Sequence, residues 1–206
     1  GIFYSNGYNH AFKYTGKYNP EESYQPLEYY FVKPDGSFLN ISKKFGWDPK
    51  ESYSTGYEFS KFSTTGYAWI QNKDRTKWAL IDFSGKTILP FEFDNVDYKY
   101  WPLEKNGYAV VEKNGKKGLV NTDGKLVIPC SYKSLNLSRN LPADATVIIV
   151  ENENGKLGLA EKKTGKLLLP VSYDAIGAAA ISAGSSYAQQ NTQITSDFFD
   201  MGVYYV

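Results

Sequence analysis

Three nine-residue segments of this chain repeat one another. Residues 85–93 read GKTILPFEF, residues 124–132 GKLVIPCSY and residues 165–173 GKLLLPVSY. Each runs Gly-Lys, three mostly apolar residues, Pro, two residues, then an aromatic. The prolines, Pro90, Pro129 and Pro170, are spaced by 39 and 41 residues. Upstream, GYAWI (66–70), GYAVV (107–111) and TVIIV (146–150) recur at spacings of 41 and 39, and KWALID (77–82), KKGLVN (116–121) and KLGLAE (156–161) lie between. Self-similarity at a period near 40 marks a repeat architecture, in which one unit cannot bury its apolar side without its neighbours.

Each copy reads as antiparallel strands. Asn114-Gly115 and Asn154-Gly155 stand between apolar runs, the strongest short hairpin signal, because a type I′ turn needs positive φ at both central residues. A second turn carries Gly85, Gly124 or Gly165, and the third strand is the apolar run after it. Proline is expected to stop that strand, since it offers no N–H to a ladder. A short fourth strand is expected around Phe93–Val96 and Tyr132–Leu135. Gly85-Lys86-Thr87 is the tail of a phosphate-binding loop, but position 80, where such a loop needs glycine, is Leu80, and a β-rich run with a proline follows in place of a helix. The segment is a turn and a strand.

A degenerate copy precedes these three: EYYFVKPDGSFLNI (28–41) has the aromatic-apolar strand and the Asp35-Gly36 turn but lacks the lysine and the proline. The chain divides, within one continuous domain, into an N-terminal cap or eroded repeat (1–27), the degenerate repeat (28–65), three repeats (66–106, 107–145, 146–176) and a C-terminal closing segment (177–206). In the last, 174–190 reads as a short helix or a last strand, and 197–206 as a strand. The architecture expected is all-β, three to four consecutive antiparallel meanders of about 40 residues, propeller-like or an open superhelical sheet.

The copies resemble the WG-repeat (KWG-repeat) family of bacterial proteins. The tightest match is Lys77, Trp78, Leu80, Ile81, Asp82, Gly85, Lys86, Ile88, Leu89, Pro90, Phe93 and Asp94. The second copy supplies Lys116, Gly118, Leu119, Val120, Gly124, Lys125, Pro129 and Tyr132, and the third Gly158, Leu159, Gly165, Lys166, Pro170, Tyr173 and Asp174. No copy keeps the Trp-Gly pair itself: Trp78-Ala79, Lys117-Gly118 and Leu157-Gly158 stand there, so the small residue survives while the tryptophan is traded away. The resemblance implies an all-β repeat scaffold and brings no catalytic residues. A second, weaker likeness, through YYFVKPDGSF (29–38), is to the choline-binding-type repeats of cell-wall proteins.

Composition narrows function by exclusion. With 23 Lys+Arg against 22 Asp+Glu, no global field draws the chain to nucleic acid or acidic lipid. No apolar run approaches the 18 or so residues that span a bilayer. The chain starts at Gly1, which suggests an engineered or processed N-terminus, so the lack of a visible signal peptide says little about compartment; cell-surface or secreted location is favoured over cytoplasmic. The single Cys130 reads as a small buried apolar residue and rules out an intrachain disulfide. His10, the only histidine, would have to serve any Ser-His-Asp or Cys-His site, and reads as an exposed or half-buried loop residue. Glu92, Asp94 and Asp97 are candidate paired carboxylates, but read better as polar residues after the third strand, with Asp94 and Asp174 capping turns; EFDNVD (92–97) lacks the glycine and glutamate of a calcium loop. Lys86, Lys125 and Lys166 would form a row, read as guards against edge pairing before an anion site. Sequons occur at Asn40 and Asn136.

What remains is a non-catalytic binding or interaction module without metal or cofactor, whose partner is a protein or a glycan. The aromatics Trp47, Tyr98, Tyr100 and Trp101, placed between strands, are its candidate ligand-binding residues, in a carbohydrate- or cell-wall-binding module as the alternative reading; a glycosidase-like enzyme comes last. Gly85, Pro90, Gly118, Gly124, Pro129, Gly158, Gly165 and Pro170 are structural repeat positions.

Overall fold

A computed structural model describes residues 9–16, 21, 25–50, 56–60, 62–63, 66–97, 108–121, 123–136, 146–174 and 176. These residues are nearly all β. Contacts divide the chain into two compact units, Gly1–Ala109 with Thr122–Lys125, and Val110–Asn121 with Leu126–Val206.

In the first unit, β1 (Asn9–Tyr14), β2 (Leu27–Val32) and β3 (Phe38–Asn40) form a sheet in that order, followed by the one-turn helix α1 (Ile41–Phe45). Next come β4 (Tyr67–Gln71), β5 (Trp78–Asp82) and β6 (Thr87–Phe93), again in sequence order, and the two-residue β7 (Asn95–Val96). In the second unit, β9 (Lys116–Asn121) lies between β8 (Tyr108–Lys113) and β10 (Leu126–Tyr132), and the last sheet runs β11 (Ser134–Asn136), β12 (Val147–Glu151), β13 (Leu157–Glu161), β14 (Leu167–Tyr173). The short fourth strand therefore exists, and β11 pairs antiparallel with β12 of the following copy, Leu135 opposite Val150.

The proline does not end the third strand. β6, β10 and β14 all run through it, and each is an outer strand of its sheet. In the first copy Leu89 faces Leu80 and Phe93 faces Trp78, so four residues of β6 advance against two of β5. The same offset separates Ile128↔Leu119 from Tyr132↔Lys117, and Leu169↔Leu159 from Tyr173↔Leu157. A bulge leaves its extra residues out of the ladder, so a residue without N–H costs no hydrogen bond there. Beneath the bulge lies the small position of the repeat. A Cβ on Gly118 would come within 2.7 Å of the Ile128 carbonyl oxygen and 2.8 Å of Cys130 Sγ; one on Gly158 would come within 2.8 Å of Val171 Cγ2 and 3.1 Å of the Leu169 oxygen.

The turns also follow from local chemistry. Asn114 and Gly115 both have positive φ (54° and 72°), as type I′ requires. At Asn154-Gly155 only the glycine does, because Asn152 Oδ1 accepts the N–H groups of Asn154 and Lys156 and shapes a longer turn. Asn72 closes the matching turn of the first copy through Thr76 and Lys77, leaving Arg75 at φ 59°. In the DFSGK segment, Asp82 Oδ1 accepts the backbone N–H of Ser84 (2.8 Å) and of Lys86 (3.0 Å) and the Ser84 hydroxyl (2.6 Å). Burial works to raise the Asp82 carboxyl, and these donors outweigh it, so its pKa falls below the ordinary value.

The three second-turn glycines share one more property. A Cβ on Gly85 would meet Leu39 Cδ2 at 2.7 Å, one on Gly124 would meet Ile88 Cγ2 at 2.8 Å, and one on Gly165 would meet the Val127 carbonyl oxygen at 1.9 Å. Leu39, Ile88 and Val127 are each the third residue after the turn glycine of the preceding copy, counting Gly36 as the first. The degenerate segment 28–41 is thus built like its successors up to Asn40. There, lacking the proline, the chain leaves the strand: Asn40 Oδ1 accepts the Lys43 N–H (2.8 Å) and caps α1, and Gly46 ends it at φ 70°.

Candidate functional site

Strand alternation gives β2 two faces. Leu27, Tyr29 and Phe31 point inward, and Phe31 belongs to the core cluster of the first unit with Ile41, Phe62, Ala68, Ile70, Ala79 and Ile81. Glu28, Tyr30 and Val32 lie on the opposite face with their cross-strand partners, Asn40 beside Tyr30 and Phe38 beside Val32. Glu28, Tyr30 and Asn40 are half-buried; Phe38 is 67% exposed.

These side chains form one network. Glu28 Oε2 accepts the Tyr30 hydroxyl at 2.6 Å and Asn40 Nδ2 at 3.0 Å, and Asn40 Nδ2 also reaches the Tyr30 oxygen at 3.0 Å. The cap on α1 fixes the Asn40 amide from its other end. The Phe38 ring stands edge-on to Tyr30 with centroids 5.6 Å apart. The hydrogen bond to Glu28 pushes the Tyr30 phenol above its ordinary pKa, reinforced by burial and the carboxylate's charge. The arrangement offers an apolar ring face beside a carboxylate, an amide and a phenol held at fixed positions.

Of the aromatics expected at a ligand site, Trp47 is in the core, 3% exposed. Its indole stacks on Tyr57 (centroids 4.5 Å apart, planes at 1°) and donates from Nε1 to the Gln71 carbonyl at 3.0 Å, and Arg75 lies over the other ring at 5.7 Å from the Tyr57 centroid. A residue buried this way offers no face to a ligand. Tyr98, Tyr100 and Trp101 lie outside the described residues. His10 is half-buried on β1 between the rings of Phe31 (5.1 Å) and Phe59 (4.8 Å). Cys130 is half-buried on β10, where a fully buried residue was expected.

Asp94 and Asp174, read in the sequence as turn caps, both lie in ion pairs. Asp94 pairs with Lys77 and Asp174 with Lys156 (2.5 Å), the same pair in two copies. The second copy has Lys133 where the others have aspartate. There Lys116 pairs with Glu153 and Lys133 with Glu151 (2.8 Å), both on the hairpin of the following copy. The hydrogen bond from Lys133, then that from the Ser134 hydroxyl, lowers the Glu151 carboxyl below its ordinary range. Lys86, Lys125 and Lys166 are exposed. The first sequon is spent on structure, with Asn40 in the cap and network and buried Ser42 accepting the Tyr29 N–H at 2.9 Å.

Among the described residues no three His, Cys, Asp or Glu side chains are placed to hold a metal ion, and no helix is long and apolar enough to cross a membrane. The network of Glu28, Tyr30, Phe38 and Asn40 went unread in the sequence although its signal was there. Alternation about the Asp35-Gly36 turn puts 28, 30, 38 and 40 on one face.

The model of the family described as WG containing repeat matches residues 78–116 and 118–138. No curated protein matches the chain. Among solved structures it is similar to the crystal structure of the computationally designed Ika8 protein, at 14% identity and a TM-score of 0.30, covering 72% of this chain and 47% of that one.

Proposed function

Since residues 78–116 and 118–138 match the model of the WG containing repeat, we infer that the chain is a non-catalytic repeat scaffold, and that the face of its first sheet carrying Glu28, Tyr30, Phe38 and Asn40 binds a carbohydrate. The observation that carries this reading is the fixed network beside an exposed ring. A pyranose has one face of C–H groups, which packs on an aromatic ring, and an edge of neighbouring hydroxyls that both donate and accept. Phe38 supplies the first surface. Among the described residues Glu28 Oε1 meets no donor, so it is left to accept a hydroxyl. Because Asn40 and Tyr30 are already held, little side-chain entropy is lost on binding. A cell-surface or secreted location is part of the same reading.

Retention of the purified chain on insoluble polysaccharides (peptidoglycan, chitin and cellulose) tests it. Phe38→Ala alters an exposed side chain and leaves folding within about 0.5 kcal/mol; Glu28→Gln removes the charge and keeps the shape. Native retention on one of these polymers, with both variants weakened at least about tenfold, is the expected result. Native chain that passes through all three, or variants retained like the native chain, overturns the reading.

A further inference from the structure

Each turn glycine after the first rests on the third strand of the copy before it, on Leu39, Ile88 and Val127. These three residues are half-buried. The equivalent residue of the last copy, three after Gly165, is Leu168, and it is 45% exposed. Its neighbour Leu167 is exposed too, but so are its counterparts Phe38, Thr87 and Leu126. Exposure at Leu168 alone breaks the repeat pattern. The converse holds at the other end of the series. Gly85 and Gly124 are buried and Gly165 half-buried, whereas Gly36 is exposed, with nothing within 4 Å of a Cβ built on it. Among the described residues the series thus has one turn without a seat and one seat without a turn.

We propose that the Gly36 turn of one molecule seats on Leu168 of a second copy of this chain, extending the internal repeat contact from one molecule to the next. The occupant follows from continuity, since the same contact is made three times within the chain. Charge agrees: the turn that seats on Ile88 carries Asp123 and that seat carries Lys86, while the free turn carries Asp35 and the free seat Lys166. The contact is heterologous, so a pair keeps one unused seat on the molecule that gave its turn and one unused turn on the other.

Sedimentation velocity on the full chain over about 10 μM to 1 mM, a range that brackets weak association, tests the proposal through two variants. Gly36→Asn keeps a residue that tolerates positive φ and adds a side chain the seat has no room for. Leu168→Glu puts a charge on an exposed position of the seat. The native chain is expected to shift to larger species as concentration rises, and each variant alone to stay monomeric. An equimolar mixture of the two is expected to form a species of two chains, because the Glu variant retains a good turn and the Asn variant a good seat. A native chain monomeric at every concentration, a variant that associates like the native chain, or a mixture that stays monomeric overturns the proposal.

Discussion

Replacing Gly165 with alanine separates two costs that a glycine in a turn ordinarily confounds. The first is conformational. At φ 73° an L-residue pays about 1–2 kcal/mol for the left-handed region. The second is contact. The added methyl would stand 1.9 Å from the Val127 carbonyl oxygen and 2.9 Å from its carbon, and both are backbone atoms of β10 that no rotamer change can move. The turn has to lift off its seat, and overpacking of this kind costs roughly 1–3 kcal/mol more. The total expected is about 2–5 kcal/mol.

Gly155 is the internal control. It has φ 75° and open space around a built Cβ, so Gly155→Ala should show the conformational cost alone, about 1–2 kcal/mol. Urea unfolding of both variants, followed by tryptophan fluorescence and far-ultraviolet dichroism, gives the difference from the midpoints at unchanged slope. Gly165→Ala is expected to lie below Gly155→Ala by 1 kcal/mol or more. Equal losses would refute the idea that the turn glycine is there for the neighbour, since φ alone would then account for it.

Under the bulge, Gly118→Ala should cost about 2–3 kcal/mol and Gly158→Ala about 1 kcal/mol less, because the first meets a carbonyl oxygen at 2.7 Å and the second chiefly a side-chain methyl at 2.8 Å that can turn away; thermal unfolding of the two variants orders them. Asp82→Ala removes a turn acceptor and should destabilise by about 1 kcal/mol at pH 7. Since the folded carboxyl titrates below its unfolded value, its contribution is present above the unfolded pKa of about 3.9 and is lost as pH falls through the folded one, so the gap between native and variant urea midpoints should close toward pH 3. Arg75→Gly should change stability by less than about 0.5 kcal/mol, because relief at φ 59° offsets the lost cation–π contact with Tyr57, whereas Arg75→Ala keeps the strain, loses the contact and should cost about 0.5–1 kcal/mol; chemical denaturation of the two distinguishes these.

Much of this fold was legible because the sequence repeats what it constrains. The period and the positive-φ turns at Gly36, Gly85, Gly124 and Gly165 could be read from residues alone, and the three full copies share one register. Proline was misread for a physical reason: a missing N–H ends a ladder only where that N–H is needed, and the bulge that makes it unnecessary appears only when two strands are paired. Trp47 was misplaced for another. A residue between strands is not thereby exposed, and the stack with Tyr57 depends on a partner ten residues away on no regular strand. The charge pairs at Lys116 and Lys133 needed the following hairpin in place before Glu153 and Glu151 could be seen as their partners. The Glu28, Tyr30 and Asn40 network needed only the register of one hairpin, and was the most accessible of the features missed.

Register also explains why all three copies keep a small residue at positions 79, 118 and 158, while only the first keeps a tryptophan before it. Positions 78, 117 and 157 face Phe93, Tyr132 and Tyr173 across the ladder, on the residue that closes the bulge. Any side chain long enough to cover that ring can serve, and Trp78, Lys117 and Leu157 all have such a stem. The next position lies under the bulge itself. There Ala79 is fully buried in the first copy, and in the other two a methyl would already collide with the strand above it. A cross-strand packing partner tolerates substitution by anything of adequate length, while a close backbone approach tolerates almost nothing. The glycine therefore marks where the third strand crosses over, and the tryptophan marks only what it covers.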